Sequence, residues 1–260
     1  MKKLLKTAIA ASLLAIAGMG AASAEALKVG VAAEPYPPFT SPDASGKWVG
    51  WEAEIIDAVC GEAKLECVIT PVAWDGIIPA LTTKKIDMIM SSMSITAERE
   101  KTIAFSDKYY NTPTGIMGAK GEAFDATPEG LKGKIIGVQV STVHEAYAKK
   151  HFGPTAAEIK IYQTQDEANA DLAAGRVDAV QADAIALDAF LATDQGKECC
   201  DMKGNVAEDL EILGPGIGVG LRKEDTELKG KLNAAIKGIR ASGKYDEISK
   251  KYFNFDIYGS

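Results

Sequence analysis

Histidine and cysteine are scarce in this chain, with two histidines and four cysteines among 260 residues. Because imidazole and thiolate groups are the usual zinc and transition-metal ligands, this argues against a metal centre, and no cofactor is expected. Common enzyme motifs are also missing: there is no G-x-S-x-G elbow, no H-E-x-x-H helix and no phosphate-cradling glycine loop. Catalysis therefore has little support.

Long apolar runs are missing beyond the N-terminus. The opening "MKKLLKTAIAASLLAIAGMGAASA" has a basic start, an apolar stretch and an Ala-x-Ala end. The stretch falls short of the ~20 apolar residues of a spanning helix, so a membrane anchor is the weaker alternative. The pattern predicts a signal peptide over residues 1–24, cleaved after Ala24, and an exported mature protein.

Positive charge is in deficit. Removing the signal peptide with its three lysines lowers 29 basic residues to 26 against 36 acidic ones, so the formal net charge falls from −7 to −10. An acidic surface argues against nucleic acid as a partner. It is compatible with a small cationic ligand, although net charge does not locate a site.

The four cysteines form two close pairs in a chain bound for an oxidising compartment. Cys60 and Cys67 are predicted to join the end of a helix to the start of the next strand through a disulfide. A metal site is the weaker alternative, because neither pair has zinc-ribbon spacing. For the adjacent Cys199 and Cys200, a vicinal disulfide, free thiols and pairing between chains all stay open.

Short β-rich runs alternate with helical patterns, which predicts an α/β fold with largely parallel sheets. One unit runs from "LKVGVA" to "IDMIMSS", and a second runs from "KIIGVQV" through "VDAVQAD" to "AIALDAFLAT". A final strand in "GIGVGL" and two helices end the chain. Two lobes are therefore predicted, one from residues 25–111 plus 216–260 and one from residues 112–215, joined by two hinge crossings near residues 110–114 and 213–216.

Polar side chains cluster after the predicted strand "IDMIM", in the segment "SSMSITAER". In open α/β sheets ligands bind at the carboxyl ends of strands. Ser94 and Thr96 are predicted to cap a helix whose amide groups favour an anion, and Arg99 has the geometry to hold a carboxylate through two parallel hydrogen bonds. The alternative is that the hydroxyls only cap the helix and Arg99 pairs with a surface acid.

The second unit has a matching polar set. Its members are Gln139, Ser141, Thr142 and His144 after one strand and Asp183 after another. Asp183 would neutralise an ammonium group, and together with a carboxylate site in the first unit it would suit a zwitterion; the alternative is a helix cap. The loop aromatics Tyr36 and Trp74 are candidate walls of such a site, with burial in the core as the alternative for Trp74.

Several motifs occur together along the mature chain, among them "YPPF", "WDGIIPAL", "IDMIMSSMSITAERE", "GVQVSTVHEAY" and "SGKYDEISKKYF". With them the chain resembles the periplasmic polar-amino-acid-binding proteins of ABC uptake systems, family 3 of the solute-binding proteins, and in particular the lysine-, arginine-, ornithine- and histidine-binding subgroup. The resemblance implies a two-lobed type II periplasmic-binding-protein fold. It also implies a monomeric periplasmic receptor, not an enzyme, that closes on one amino acid and delivers it to a membrane ABC permease.

The resemblance also implies roles for individual residues. Arg99 would hold the ligand α-carboxylate and Asp183 the α-ammonium, while Tyr36 and Trp74 would enclose the side chain. The remaining residues expected at the site are Ser91, Ser92, Ser94, Gln139, Thr142 and His144. Several cationic-ligand relatives carry an acid where this chain has Ala33, with Glu34 one place later. Glu34 is a candidate to replace that acid at the site, and the alternative is that it points to solvent; Ser141 stands at a usual glycine position.

Other functions stay open at the level of sequence. A neutral polar amino acid or an opine is an alternative ligand, because an aromatic slot does not require positive charge. The alternative from another class is a dehydratase acting on a cyclic carboxylate, similar to cyclohexadienyl dehydratase, for which only Glu34, His144 and Asp183 are candidate acids or bases. Presentation of the ligand to a chemoreceptor or sensor is compatible with the same sequence.

Overall fold

The computed structural model describes residues 26–259, so the predicted signal peptide lies outside the described residues. Within residues 26–259, no helix is both long and apolar enough to cross a membrane. The same residues include no group of three or more His, Cys, Asp and Glu side chains arranged to hold a metal ion.

In the first part of the chain, to residue 110, strands alternate with helices. They are β1 (Leu27–Ala32), β2 (Ser41–Pro42), β3 (Trp48–Val49), α1 (Trp51–Glu62), β4 (Cys67–Val72), α2 (Ile77–Thr82), β5 (Met88–Ile89), α3 (Ala97–Glu100) and β6 (Ala104–Tyr110). A short 3₁₀ turn, Trp74–Gly76, directly precedes α2.

The rest of the chain repeats this organisation and then adds a closing segment. The elements are β7 (Thr114–Ala119), β8 (Ile135–Gln139), α4 (Val143–Tyr147), β9 (Glu158–Tyr162), α5 (Gln165–Ala173), β10 (Ala179–Asp183), α6 (Ala184–Leu191), α7 (Asp194–Cys199), β11 (Cys200–Asn205), α8 (Leu210–Leu213), β12 (Ile217–Leu221), α9 (Thr226–Ala241) and α10 (Lys244–Ser249). Helix α4 is continued by a π-helical turn, Ala148–Phe152.

Strands β2 and β3 pair only with each other. The other ten strands form two five-stranded sheets, in the orders β4-β1-β5-β12-β6 and β11-β7-β10-β8-β9. The chain passes between them twice, through residues 111–113 and through residues 206–216. The strand after each crossing, β7 or β12, runs antiparallel to both of its neighbours. The α/β, two-lobed prediction is confirmed, with mixed sheets in place of largely parallel ones.

Three strands that the sequence pattern did not reveal complete these sheets: β6, β7 and β11. The β6 segment "AFSDKYY" has two charged residues inside it, and β11, "CDMKGN", is a largely polar, half-buried strand whose pairing with β7 is interrupted between Met202 and Gly204. Their pairing depends on neighbours distant in sequence, which local alternation of apolar and polar residues does not report.

An aromatic cluster forms the centre of the first lobe. Trp51 is fully buried and packs edge-on against Tyr110 and Tyr245, and its indole N–H donates to Ser249 Oγ at 3.0 Å. Helix α1 reaches this position because its N-cap is Gly50, whose φ of 119° and close approach to the backbone of Phe39 leave no room for a side chain. The start of α1 is thereby placed in the core.

Both cysteine pairs are joined. The predicted disulfide between Cys60 and Cys67 is confirmed, and it links the end of α1 to the start of β4 with a Cα separation of 6.3 Å. Cys199 and Cys200 form a vicinal disulfide at the junction of α7 and β11. Of the three possibilities that the sequence left open, the structure therefore contains the first.

Candidate functional site

The loop between β5 and α3 contains the polar segment of the first lobe. Thr96 is the N-cap of α3, and its hydroxyl accepts the backbone N–H of Arg99 at 3.2 Å. Ser94, also expected as a cap, instead forms an isolated β-bridge with Ile217. Its carbonyl oxygen accepts a hydrogen bond from Arg99 Nη1 at 2.9 Å, so Ser94 orients the guanidinium rather than the helix.

Arg99 reaches across the cleft between the lobes. Its Nη2 donates to the carbonyl oxygen of Ser141 in the second lobe at 3.3 Å, and its guanidinium lies 5.6 Å from the ring centre of Trp74. Burial lowers the pKa of Arg99 to about 10, which still leaves the side chain cationic at neutral pH. The cleft therefore has a fixed positive group in contact with both lobes.

Asp183 ends β10 and caps α6. Its Oδ1 accepts the backbone N–H groups of Ile185 and Ala186 at 2.8 and 3.3 Å, and its Oδ2 accepts the hydroxyl of Thr112 from the first crossing. Burial raises the pKa of Asp183 to about 6, against the opposing effect of these hydrogen bonds. Both sequence interpretations of Asp183, the helix cap and the cleft carboxylate, are thus compatible with its position.

A second contact across the cleft joins Glu34 to the second lobe. Gln139 Nε2 donates to Glu34 Oε1 at 2.8 Å and to the carbonyl oxygen of Gln163 at 3.2 Å. Tyr36 stacks on Phe39 with ring centres 5.7 Å apart. Burial, with a further effect from Asp183, raises the pKa of Tyr36 well above its ordinary value, so the phenol stays neutral.

The loop after β8 forms the opposite wall. The Thr142 hydroxyl donates to the carbonyl oxygen of Gln139 at 2.7 Å and accepts the N–H of Glu145 at 3.0 Å as the cap of α4. His144 Nδ1 lies 3.3 Å from Thr114 Oγ1. Burial, aided by the charge of Arg99, lowers the pKa of His144 to about 3, so its imidazole is neutral at physiological pH.

These side chains line two adjoining cavities between the lobes. The first, of about 480 Å³ including its opening to solvent, is lined by every predicted site residue except Asp183. The second, of about 940 Å³ including its opening to solvent, includes Asp183 and shares Tyr36, Ser92 and His144 with the first. The structure therefore brings all of the predicted site residues together around one cleft.

Comparisons with known proteins agree with this architecture. The family model of the bacterial extracellular solute-binding proteins, family 3, matches residues 27–255. The chain belongs to this family. It is 43% identical to the L-arginine-binding protein of Pseudomonas aeruginosa over 100% of both chains, and 38% identical to the lysine/arginine/ornithine-binding periplasmic protein of Escherichia coli over 99% of both. An ancestral arginine-binding protein bound to arginine superposes with a TM-score of 0.80 at 33% identity, over 88% of this chain and 98% of that chain.

Thr112 and Glu52 are among the residues of this solute-binding protein that support the cleft without having been predicted. Thr112 donates to Asp183, and Glu52, fully buried at the start of α1, accepts the backbone N–H of Ser92 at 2.8 Å. Glu52 stands in a first helical turn with Glu54, where acids commonly complement the helix dipole. The sequence contains no signal that separates the buried acid from the exposed one, and Thr112 appears only as part of a crossing.

Proposed function

We propose that the protein binds one amino acid with a cationic side chain in the cleft and presents the closed form to the membrane permease of an ABC transporter. The observation that carries this proposal is the pairing across the cleft of one fixed cation, Arg99, with one buried carboxylate, Asp183, beside two aromatic rings. The arginine- and lysine/arginine/ornithine-binding names of the relatives support the ligand class.

The zwitterionic part of the ligand is assigned to the two charged groups. Arg99 receives the α-carboxylate, assisted by polar groups of Ser92, Ser94 and Thr142, because a guanidinium and a carboxylate form short, charge-assisted hydrogen bonds. Asp183 receives the α-ammonium, with Ser91 beside it. Burial strengthens both interactions, since charges attract more strongly where water is excluded.

The cationic end of the ligand is assigned to Glu34 and the aromatic rings. Glu34 lines the first cavity with Tyr36 and Trp74, and its carboxylate is already oriented by Gln139. Glu34 thereby supplies a negative charge in the first cavity for the cationic side chain of the ligand. Cation–π contact with either ring adds ~0.5–2 kcal/mol.

The other functions are less well supported. An opine has a second carboxylate on its α-nitrogen substituent, which would enter the second cavity beside Asp183 and Glu208, where like charges repel. For a dehydratase, His144 is a poor general base because its pKa is so low, and Glu34 and Asp183 are each held by hydrogen bonds within the protein. Neither alternative is proposed.

The cellular context follows from the same proposal. The signal peptide is cleaved after Ala24, and the mature protein acts in the periplasm as a monomer. The described residues of the two predicted lobes, 25–111 plus 216–260 and 112–215, move as two bodies about a hinge near residues 110–114 and 213–216. The contacts of Arg99 with Ser141 and of Glu34 with Gln139 hold the closed form.

A thermal-shift screen tests the ligand class. L-Arginine, L-lysine, L-ornithine and L-histidine are compared with neutral amino acids and with octopine. A ligand at a thousandfold excess over Kd stabilises the native state by about 4 kcal/mol, which raises Tm by roughly 10 °C in a protein of this size. A response confined to neutral amino acids or to octopine would refute the proposal, and calorimetry with the best ligand measures its Kd.

A further inference from the structure

We propose that Glu52 is a positioning residue of the binding site, whose buried carboxylate holds Ser92 and so fixes the serine loop that lines the cleft. This inference rests on the proposed function, because it concerns how the same cleft is held ready for its ligand. Glu52 lines neither cavity itself, and it acts through Ser92, which lines both.

The carboxylate of Glu52 accepts two hydrogen bonds from Ser92. Oε1 accepts the backbone N–H of Ser92 at 2.8 Å, and Oε2 accepts its hydroxyl at 3.2 Å. The phenol of Tyr109 also donates to Oε1. Glu52 is 0% exposed, and burial raises its pKa. A carboxylate buried away from water needs hydrogen-bond donors for its lone pairs. The amide and hydroxyl groups around Glu52 supply these donors and are held in place by the same hydrogen bonds.

Ser92 needs such a clamp because of its backbone. Its φ is 52°, in the left-handed region that residues with a side chain seldom adopt. That conformation turns the chain between Ser91, whose hydroxyl accepts the N–H of Ala32 at 2.8 Å, and Ser94, whose carbonyl oxygen accepts from Arg99. If Ser92 relaxed, both neighbours would shift, and the orientation of the Arg99 guanidinium would loosen with them.

Tyr109 connects the clamp to the crossing between the lobes. It lies in β6, one residue before its end, and the chain enters the second lobe after residues 111–113. The backbone oxygen of Tyr109 accepts the hydroxyl of Tyr245 at 2.7 Å, which anchors the strand in the first lobe. Glu52 thus ties the serine loop to a rigid strand rather than to another loop.

The neighbouring acid on α1 provides a matched comparison. Glu54 accepts hydrogen bonds from Lys251 at 2.5 Å and from Tyr252 at 2.8 Å at the surface. It lies two residues from Glu52 in the same first turn and has the same charge, but it makes no contact with the serine loop among those described for it. Any effect on ligand affinity that is specific to Glu52 therefore cannot come from the helix terminus alone.

Calorimetric titration with L-arginine tests the proposal. Glu52→Ala removes the hydrogen bonds to Ser92 and should weaken binding roughly tenfold to a hundredfold, whereas Glu52→Gln keeps an acceptor for the amide and should stay within about threefold of the wild type. Glu54→Gln should leave Kd unchanged. An unchanged Kd in Glu52→Ala, or equal losses in Glu52→Ala and Glu54→Gln, would overturn the proposal.

A double-mutant cycle separates positioning from general destabilisation. Glycine adopts φ of 52° without strain, so in a Ser92→Gly background the further change Glu52→Ala should weaken L-arginine binding by clearly less than in the wild type. An equal loss in both backgrounds contradicts the clamp. If Glu52→Ala alone fails to fold, the Glu52→Gln and Ser92→Gly variants still report on the same contact.

A measurement without ligand keeps this inference apart from the proposed function. In protein labelled with ¹⁵N-serine, the Ser92 amide proton should resonate far downfield in the wild type and in Glu52→Gln, and should move upfield in Glu52→Ala. Failure of the wild type to bind L-arginine while this pattern holds overturns the function and keeps the clamp. Normal binding with an unmoved Ser92 signal overturns the clamp.

Discussion

The two lobes face each other through two short helices that begin in the same way. Helix α3 is capped by Thr96 and α4 by Thr142, and each hydroxyl accepts the N–H of the third residue on, at 3.2 and 3.0 Å. That third residue is Arg99 in the first lobe and Glu145 in the second. The same local geometry therefore presents opposite charges.

This difference in charge gives the two helix N-termini different roles in the cleft. Glu145 folds back to accept the N–H of Ser141 at 2.5 Å, so the second helix start already has a carboxylate of its own. Arg99 instead extends into the cleft and donates to the backbone oxygens of Ser94 and Ser141. We therefore expect the positive charge that binds a ligand carboxylate to come from Arg99, with Thr142 at the start of α4 contributing only uncharged polar groups.

The largest effect on ligand binding is expected when Arg99, at the start of α3, is replaced. Arg99→Ala removes the positive partner of a buried ligand carboxylate and should weaken L-arginine binding by at least about thirtyfold in calorimetry, since breaking a buried charge pair costs 2–5 kcal/mol or more. Lys101→Ala is the matched control, because Lys101 pairs with Glu98 at the exposed surface of the same short segment. A wild-type Kd in Arg99→Ala would remove Arg99 from the site.

The second-largest effect concerns the acid on the other side of the cleft. The pKa of Asp183 is raised from its ordinary value of 3.8 to about 6 by burial. Below pH 6 a proton competes with the ligand ammonium, so L-arginine binding should be roughly tenfold weaker at pH 5 than at pH 8. Because the folded form takes up this proton before the unfolded form, Asp183 makes the ligand-free protein more stable as pH falls from about 6 to about 4.

Asp183→Asn is the control for this pH dependence. It should bind more weakly at pH 8 and should show a flat profile between pH 5 and 8, a range in which the groups of L-arginine itself do not titrate. Burial also raises the pKa of the Glu52 carboxyl group. The same pH profile measured in Glu52→Gln shows whether Glu52 contributes to the pH dependence of binding. A profile in the wild type that is already flat, or a slope that survives in Asp183→Asn, would show that another group titrates.

A smaller effect distinguishes the ligand classes. Glu34→Gln keeps an oxygen to accept from Gln139 but removes the negative charge from the first cavity. We expect L-arginine to bind roughly threefold to tenfold more weakly, as for the loss of one charge-assisted contact near solvent, and L-glutamine to be unaffected or bound more tightly. Equal changes for both ligands would mean that Glu34 does not meet the cationic group.

Sequence patterns, together with the family resemblance, predicted the two lobes and the residues of the cleft, but not the contacts that hold those residues in place. Residues such as Arg99 and Asp183 stand at the ends of recognisable strands, where topology brings polar groups together whatever the details of packing. Glu52 and Thr112 act through contacts with Ser92 and Asp183, which are 40 and 71 residues away. Their neighbours along the chain carry no trace of those contacts, so only the folded structure reveals them.

The strands β6, β7 and β11 show the same limit in the fold. Their sequences contain charges or glycines, and they become strands because each finds a partner across a sheet, as β11 does with β7. By contrast, the bond between Cys60 and Cys67 was predictable, since it joins two elements adjacent in sequence. The predictions succeed where structure follows from nearby residues and fail where it follows from distant pairing.

The smallest predicted effect sharpens the comparison of the two loops. Ser141 and Ser92 both have left-handed backbones, with φ of 59° and 52°. Ser141→Gly relieves this strain and should stabilise the protein by about 0.5 kcal/mol, after subtraction of the entropy that glycine adds to the unfolded chain. Ser92→Gly also loses the hydroxyl contact with Glu52, so it should give no gain. Urea unfolding of the ligand-free variants measures both, and equal stabilisation by the two changes would show that Glu52 contributes nothing through the Ser92 hydroxyl.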